Sequence, residues 1–464
     1  MGNAETNSLK ARRLEKIRLE SEEEKKAAIE CSMSYIFLDE SGNEVGTGEC
    51  KGTIDKEYLT VFPKFGNILP FHLRDIIQIE TENYRIILPL FSKEKLILFN
   101  LGYYFEDFLR ILTDLRNEVI IKDLLMNETN RKSDVDMEFV YYDENGNERQ
   151  KDAGKIRLYE TGLVVIPQKG EVLRLPYSDI ARVSEGNHSI RISTEFGEQL
   201  VFSKLGWEFD PFLKTFSDIN NELQLKAVSF LKELFPWIDS LSLRRTAGLM
   251  REGKAARRAD IEVINPRVWQ ELEKKIASAG LNESYTFLKE LAKQERICIG
   301  FKRGLMGDLT GEYIWFLMPI YNVGEKEYGN AVAMEAAETT VEETGGRATY
   351  FFRIVSRRDY PNYKSLDELD KEVDKFIRRI NRCMFDINFR REPIYLPDER
   401  LDEPAYFKYK IAVQRIPSLR LLRNLYIGRV IHASSEQWKC DVMDLLRFNV
   451  MTQDDFAKWK KQKQ

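Results

Sequence analysis

Asp39-Glu40-Ser41-Gly42-Asn43-Glu44 recurs as Asp143-Glu144-Asn145-Gly146-Asn147-Glu148, 104 residues further along the chain. The offset then holds without a gap. Leu59, Val61 and Pro63 meet Leu163, Val165 and Pro167; Gly66 meets Gly170; Asp75-Ile76 meets Asp179-Ile180; Leu101-Gly102 meets Leu205-Gly206. Phe105, Phe108, Leu109, Asp114 and Asn117-Glu118 find their counterparts in Phe209, Phe212, Leu213, Asp218 and Asn221-Glu222. Agreement at one fixed offset over so many positions is the signature of a duplicated module.

Each copy has the same internal grammar. Tyr35–Leu38 and Phe139–Tyr142 are β-rich runs that end in a Gly-Asn turn, and these residues accept the positive φ of a hairpin. Further short runs follow at Gly46–Cys50, Tyr58–Phe62, Ile68–Phe71, Ile76–Ile79, Arg85–Leu90 and Leu96–Phe99, about seven strands in all. The apolar period then changes from two to 3.6. Phe105, Phe108, Leu109, Leu112, Leu115 and Val119 form one stripe, and Phe209, Phe212, Leu213, Phe216, Ile219 and Leu223 form its twin. Such a helix must bury its stripe, and the preceding sheet is the nearest surface.

Three segments of the first copy carry a family likeness: Gly52–Pro63 (GTIDKEYLTVFP), Ile68–Ile79 (ILPFHLRDIIQI) and Leu96–Leu112 (LILFNLGYYFEDFLRIL). Their counterparts are GKIRLYETGLVVIP, LRLPYSDIARV and LVFSKLGWEFDPFLKTF. The pattern resembles the pleckstrin-homology (GRAM/PH) superfamily over about residues 32–236. The resemblance implies two small β-barrels, each closed by a C-terminal helix. PH-type domains that hold phosphoinositides generally use Lys and Arg in the first hairpin loop. Here that loop is acidic in both copies, which opposes a phosphate. Its carboxylates suit Ca²⁺ in kind, but the spacing is not that of an EF-hand. A protein or peptide partner is the expectation, with tandem modules adding avidity.

Composition bounds the rest. The chain has 464 residues, 43% hydrophobic and 31% charged, enough for two to four domains. Five scattered cysteines form no CxxC pair, and three distant histidines give no zinc spacing, so reduced thiols and a cytoplasmic location are expected. The longest apolar run, Ile314–Tyr321, is far too short to span a bilayer and reads as a buried strand. Charge is uneven: residues 1–235 carry 31 basic and 41 acidic groups, net −10, and the remainder carries 40 and 34, net +6. A polyanion should therefore prefer the second half.

Two basic groups in that half are the candidate polyanion-binding residues. Arg244, Arg245, Arg251, Lys254, Arg257 and Arg258 are opposed only by Glu252; on a helix, Arg251, Lys254 and Arg258 would share one face. Arg415, Arg420 and Arg423 follow in an apolar-basic helix. Nucleic acid is thus the competing partner to protein. An anionic membrane surface is a third, opposed by the acidic first half. No phosphate loop, nucleophile elbow or His-Glu-x-x-His pair occurs, and no cofactor or small-molecule substrate is implied. Asp308 and Glu312, beside Lys302 and Arg303, are the one charged cluster next to a clearly buried strand. The expectation is a non-enzymatic adaptor.

The fold class is α+β: two tandem PH-like β-barrels each capped by a C-terminal helix, followed by a separate α+β domain and a helical C-terminal segment. The boundaries are 1–31 for a charged N-terminal helix, 32–128 and 136–236 for the two modules, and 237–290 for a helical linker with the basic cluster. Residues 291–395 form the α+β domain, with a diverged third module as the alternative, and 396–464 the C-terminal segment and tail.

Overall fold

A computed structural model describes residues 28–125, 128–168, 171–305, 309–322, 329–338, 347–363, 365–403 and 405–450. The chain is α+β and divides into two compact units, one built on the first sheet and one containing the C-terminal region. The first sheet is antiparallel, with strands β1 (Ile29–Leu38), β2 (Glu44–Ile54), β3 (Tyr58–Pro63), β4 (Leu69–His72), β5 (Glu80–Glu82), β6 (Arg85–Pro89) and β7 (Lys95–Phe99). Their order is β4-β3-β2-β1-β7-β6-β5, so the first strand sits at the centre and pairs with both β2 and β7. Helix α1 (Phe105–Leu125) follows. Its Phe105, Phe108 and Leu112 share one core with the inward residues of the strands, Leu59, Val61, Ile86, Leu88, Leu96 and Leu98. A period-two face and a period-3.6 stripe thus bury one another.

The second sheet repeats this plan at the same 104-residue offset. Strands β8 (Asn130–Tyr142), β9 (Glu148–Tyr159), β10 (Gly162–Pro167), β11 (Leu173–Pro176), β12 (Ile180–Gly186), β13 (Ser189–Thr194) and β14 (Gln199–Ser203) precede helix α2 (Phe209–Leu234). The order β11-β10-β9-β8-β14-β13-β12 is that of the first sheet. Backbone exceptions repeat as well: Gly42 and Gly146, Tyr84 and His188, Asn100 and Lys204, Gly102 and Gly206 all have positive φ. Phe108 and Phe212 are fully buried at matching positions. Truncating either to Ala would cost about 3–5 kcal/mol. One detail differs from the sequence reading: residues 77–79 are not strand, because a 3₁₀ turn at Leu73–Asp75 delays the strand to Glu80.

The third sheet has six strands: β15 (Ala256–Arg257), β16 (Cys298–Leu305), β17 (Leu309–Ile320), β18 (Ala331–Glu338), β19 (Ala348–Arg353) and β20 (Tyr426–Ile431). They run in simple sequence order. The helices are α3 (Ser240–Leu249), α4 (Arg258–Ile264), α5 (Pro266–Ser278), α6 (Asn282–Leu291), α7 (Leu366–Asp386), α8 (Glu392–Tyr395), α9 (Asp398–Leu401), α10 (Phe407–Arg415), α11 (Pro417–Leu425) and α12 (Ser435–Val450). Ile314, Phe316, Met318 and Ile320 share a core with residues of α3–α6 and α12. The alternate residues Trp315 and Leu317 are equally buried on the opposite face, where Trp315 meets Phe389 and Phe352 meets Phe376 of α7. Burial on both faces explains the uninterrupted apolar run of β17.

Several boundaries are corrected by this arrangement. Residues 1–27 lie outside the described residues, but Ile29–Cys31, assigned above to the charged helix, pair with β2 as strand because Cys31 has a core to enter. Residues 237–290 are helical but not a linker: Leu243, Ala247, Ile261, Trp269, Leu272, Ile276 and Leu288 are buried in the core beneath the third sheet. That sheet also draws β15 and β20 from outside residues 291–395, so those residues are not a domain by themselves. A third module is excluded by the strand order, which has no first strand at the centre. The segment 396–464 includes strand β20 as well as helices, and residues 451–464 lie outside the described residues.

Candidate functional site

The repeated acidic hairpin is a turn device. Asp39 Oδ1 accepts from the Ser41 and Asn43 amides at 2.9 and 2.8 Å, and Asp143 Oδ1 accepts from Asn145 and Asn147, both at 2.9 Å. In each copy the Asn side chain reaches the second carboxylate oxygen at 3.3 Å. An Asx turn closed by Gly at positive φ needs this Asp-x-x-Gly-Asn spacing. The Asn147 amide, with help from Arg149, holds the Asp143 carboxyl down at about 2. Among the described residues no group of three or more His, Cys, Asp or Glu could hold a metal ion.

A second repeated turn faces solvent. In the 3₁₀ turns Gly102–Tyr104 and Gly206–Glu208, glycine at φ +57° and +59° sends the chain into α1 and α2. The next residue is aromatic and exposed in both: Tyr103 at 103% and Trp207 at 84%. A second ring approaches from the hairpin tip before β6 or β13. Tyr84 packs edge-on to Phe105 at 5.6 Å, and His188 meets Phe209 at 6.4 Å. The exposed aromatic was present in the repeat, one position after the matched Leu-Gly, and an identity comparison passes over a Tyr-to-Trp pair.

The basic cluster does not form a helical face. Arg251–Gly253 is a 3₁₀ turn with Glu252 at φ 56°, and the chain then extends through β15 before α4 begins. Arg251 donates to the Ser178 and Ile180 carbonyls at 3.1 and 3.3 Å. Lys254 pairs with Glu195, Arg257 bridges Asp260 and Asp374, and Arg258 pairs with Glu262 at 2.8 Å. Arg244 and Arg245 are exposed on α3. Arg423 donates to the Pro393 and Leu396 carbonyls at 2.6 and 2.8 Å and pairs with Asp398, while Arg420 donates to the Gln414 carbonyl. Arg415 lies half-buried at the end of α10. Lys254 and Arg257 line one cleft, and at least six of the nine cations already serve carboxylates or carbonyls. Glu312 is held by Arg303 at 2.6 Å, and Asp308 lies outside the described residues.

The charge imbalance between the halves is resolved partly inside the second unit. Helix α7 presents Lys375, Arg379 and Arg382 at i, i+4 and i+7 to the second sheet. Lys375 and Arg379 approach Glu144 at 3.7 and 3.5 Å. Arg382 holds Asp179 at 2.8 Å and Glu198 at 2.9 Å, with its guanidinium 4.6 Å from the Phe196 ring centre. Arg174 adds the reverse pair, Asp386, at 3.0 Å. Burial, with Asp386 and Glu195 beside it, pushes Asp179 up to about 7 against the pull of Arg382 and Lys254. Next to this junction lies a cleft of 240 Å³ lined by Glu195, Lys254, Arg257, Asp374, Arg378 and Asn381. Its Lys254 and Arg257 are already paired, and Arg378 stands exposed beside them. Lys375, Arg379 and Arg382 were not among the candidate residues that the sequence offered.

No family model matches the chain, and no curated protein matches it. Among solved structures it is similar to one described as the structure of the Spt16D Pob3N heterodimer, at 16% identity and a TM-score of 0.14. The match covers 36% of this chain and 85% of that chain. No helix of the described residues is long and apolar enough to cross a membrane.

Proposed function

We propose that the chain is a non-enzymatic cytoplasmic adaptor whose two modules, built on the pleckstrin-homology plan, engage a protein partner. One observation carries the reading: Tyr103 and Trp207 stand exposed at equivalent places in two diverged copies. A large aromatic side chain left in water contributes little to folding. Buried against a partner, the same side chain supplies the apolar area and rigidity typical of an interface anchor. Two such anchors in one chain give avidity. The engagement of Arg251, Lys254, Arg257, Arg258 and Arg423 by the protein's own oxygens weighs against a polyanion as the primary ligand.

The test is quantitative affinity capture with the intact chain and with a Tyr103→Ala/Trp207→Ala variant. The reading expects at least one polypeptide retained by the wild type and lost with the variant. Identical sets of captured proteins would overturn it.

A further inference from the structure

The 240 Å³ cleft between α3 and α7 has an uneven balance of paired and spare charge. Its three carboxylates are all neutralised by the protein. Glu195 is paired with Lys254, Asp260 takes Arg257 at 2.6 Å, and Asp374 takes Arg257 at 3.2 Å and Arg296 at 2.6 Å. Arg378, one turn beyond Asp374 on α7, lines the same cleft; it is exposed and has no partner among the described residues. Arg245 lies one turn before Gly248 and Leu249 on the same side of α3, and it too is exposed and without a partner among the described residues. Two guanidiniums are spare beside the cleft, and none of its carboxylates is.

The walls are apolar and fixed. Leu249, Ala255, Ala256 and Ile377 supply carbon surface. The buried Asn381 side chain clasps Ala255 from both sides, accepting from its amide at 2.9 Å and donating to its carbonyl at 3.2 Å, so the wall stands ready before a ligand arrives. Gly248 keeps the space clear. A side-chain carbon there would meet nothing packed against it within 4 Å, although glycine weakens a helix relative to alanine. The missing side chain serves no contact of the fold; it leaves room for a bound group. A cavity of about 150 Å³ can hold a benzene ring, so this cleft takes a ring-sized body with a charged group at its opening.

We propose that this cleft binds a phosphate monoester, its dianion held between Arg378 and Arg245 and its organic body against Leu249, Ala256 and Ile377. Guanidinium forks match phosphate oxygens in pairs, and a charge of roughly −2 suits two of them better than the single charge of a carboxylate. The ester group can belong to a free small molecule or to a phosphorylated side chain of a polypeptide; the chemistry is shared, and the experiment separates the two sources. The site goes beyond the adaptor reading and does not depend on the aromatic turns.

Isothermal titration of the intact protein at low ionic strength is the test, with phenyl phosphate as the first probe. It should bind saturably, at least about tenfold tighter than inorganic phosphate, which lacks the body, or benzoate, which lacks the second charge. Arg378→Gln and Arg245→Gln should each weaken it about tenfold. Gly248→Leu fills open space and should abolish binding, while urea unfolding shows the fold intact. Lys214→Gln, which removes an exposed cation of α2, should bind like the wild type. Acetyl-Ala-phosphotyrosine-Ala-amide is the second probe. Binding at least as tight as that of phenyl phosphate assigns the group to a polypeptide, and weaker binding assigns it to a free small ester; both sustain the site. No saturable binding of phenyl phosphate, binding no tighter than that of inorganic phosphate, or equal affinity in the wild type and the Gly248→Leu and Arg378→Gln variants overturns the proposal. The Tyr103→Ala/Trp207→Ala protein should bind phenyl phosphate unchanged, so this site and the capture through the aromatic turns fail separately.

Discussion

Arg382 Nε lies 2.8 Å from Asp179 Oδ2, joining a helix of the C-terminal region to the second copy of the repeat. Both side chains are largely withdrawn from water, and Glu198 takes the other edge of the same guanidinium. Removing Arg382 deprives Glu198, and the ionised form of Asp179, of their shared buried counter-cation. Arg382→Ala should therefore lower the unfolding free energy by about 3–5 kcal/mol. Urea unfolding of the intact chain measures it; a loss below about 1 kcal/mol would mean that the pair is in practice well solvated.

The same pair gives a pH dependence with a definite sign. Asp179 has an ordinary value of 3.8 and is pushed up to about 7 in the fold, so the native state binds the extra proton. Its contribution is complete below 3.8 and declines as pH rises toward 7. Protection factors of the β13 and β14 amides, corrected for the intrinsic pH dependence of exchange, should fall across that interval, and Asp179→Asn should flatten the profile. Protection factors that rise with pH over that interval would contradict the assignment.

The two Asx turns make a paired prediction. Asp39→Ala and Asp143→Ala each remove the acceptor that closes a hairpin. Amide exchange should rise at Ser41 and Asn43 in one variant, and at Asn145 and Asn147 in the other. No change at these amides would show that the carboxylates are not what holds the turns.

Exposed and buried aromatics of the repeat should behave oppositely. Tyr103→Ala and Trp207→Ala should change stability by no more than about 0.5 kcal/mol. Phe108→Ala and Phe212→Ala, each emptying a fully buried position, should cost about 3–5 kcal/mol. Thermal unfolding of the four variants decides. Comparable losses at all four would assign Tyr103 and Trp207 a folding role.

Gly300 is required by packing. A side-chain carbon there would collide with the Trp315 ring and the Gly253 carbonyl. Trp315 Nε1 donates to that carbonyl at 2.7 Å, so neither neighbour moves without losing a buried bond. Gly300→Ala should destabilise by about 1–3 kcal/mol in urea unfolding. A neutral substitution would show that β16 and β17 have slack.

The duplication was legible because it rests on local chemistry: an Asx turn needs Asp, Gly and Asn at fixed spacing, and a stripe such as Phe105, Phe108, Leu112 advertises a helix. The C-terminal region was harder to read for a physical reason. Strands β15 and β20 join a sheet whose other members lie between them, so Ala256 and Val430 carry no local sign of their neighbours. The charges were the most deceptive. Arg257 and Arg258 look unopposed within a fifteen-residue window, but Asp374, the second partner of Arg257, is 117 residues away. A basic face reads as a polyanion site only until its distant carboxylates are known.

Site-specific photo-crosslinking tests the account most directly, with benzoylphenylalanine placed in the intact chain at position 103 and, separately, at 207. The account predicts that one partner polypeptide is captured from both positions, and that the same probe at the exposed helical position Leu225 captures none of it. Capture at 225 equal to that at 103 and 207, or no polypeptide at either turn, would contradict twin modules that present aromatic anchors to a protein.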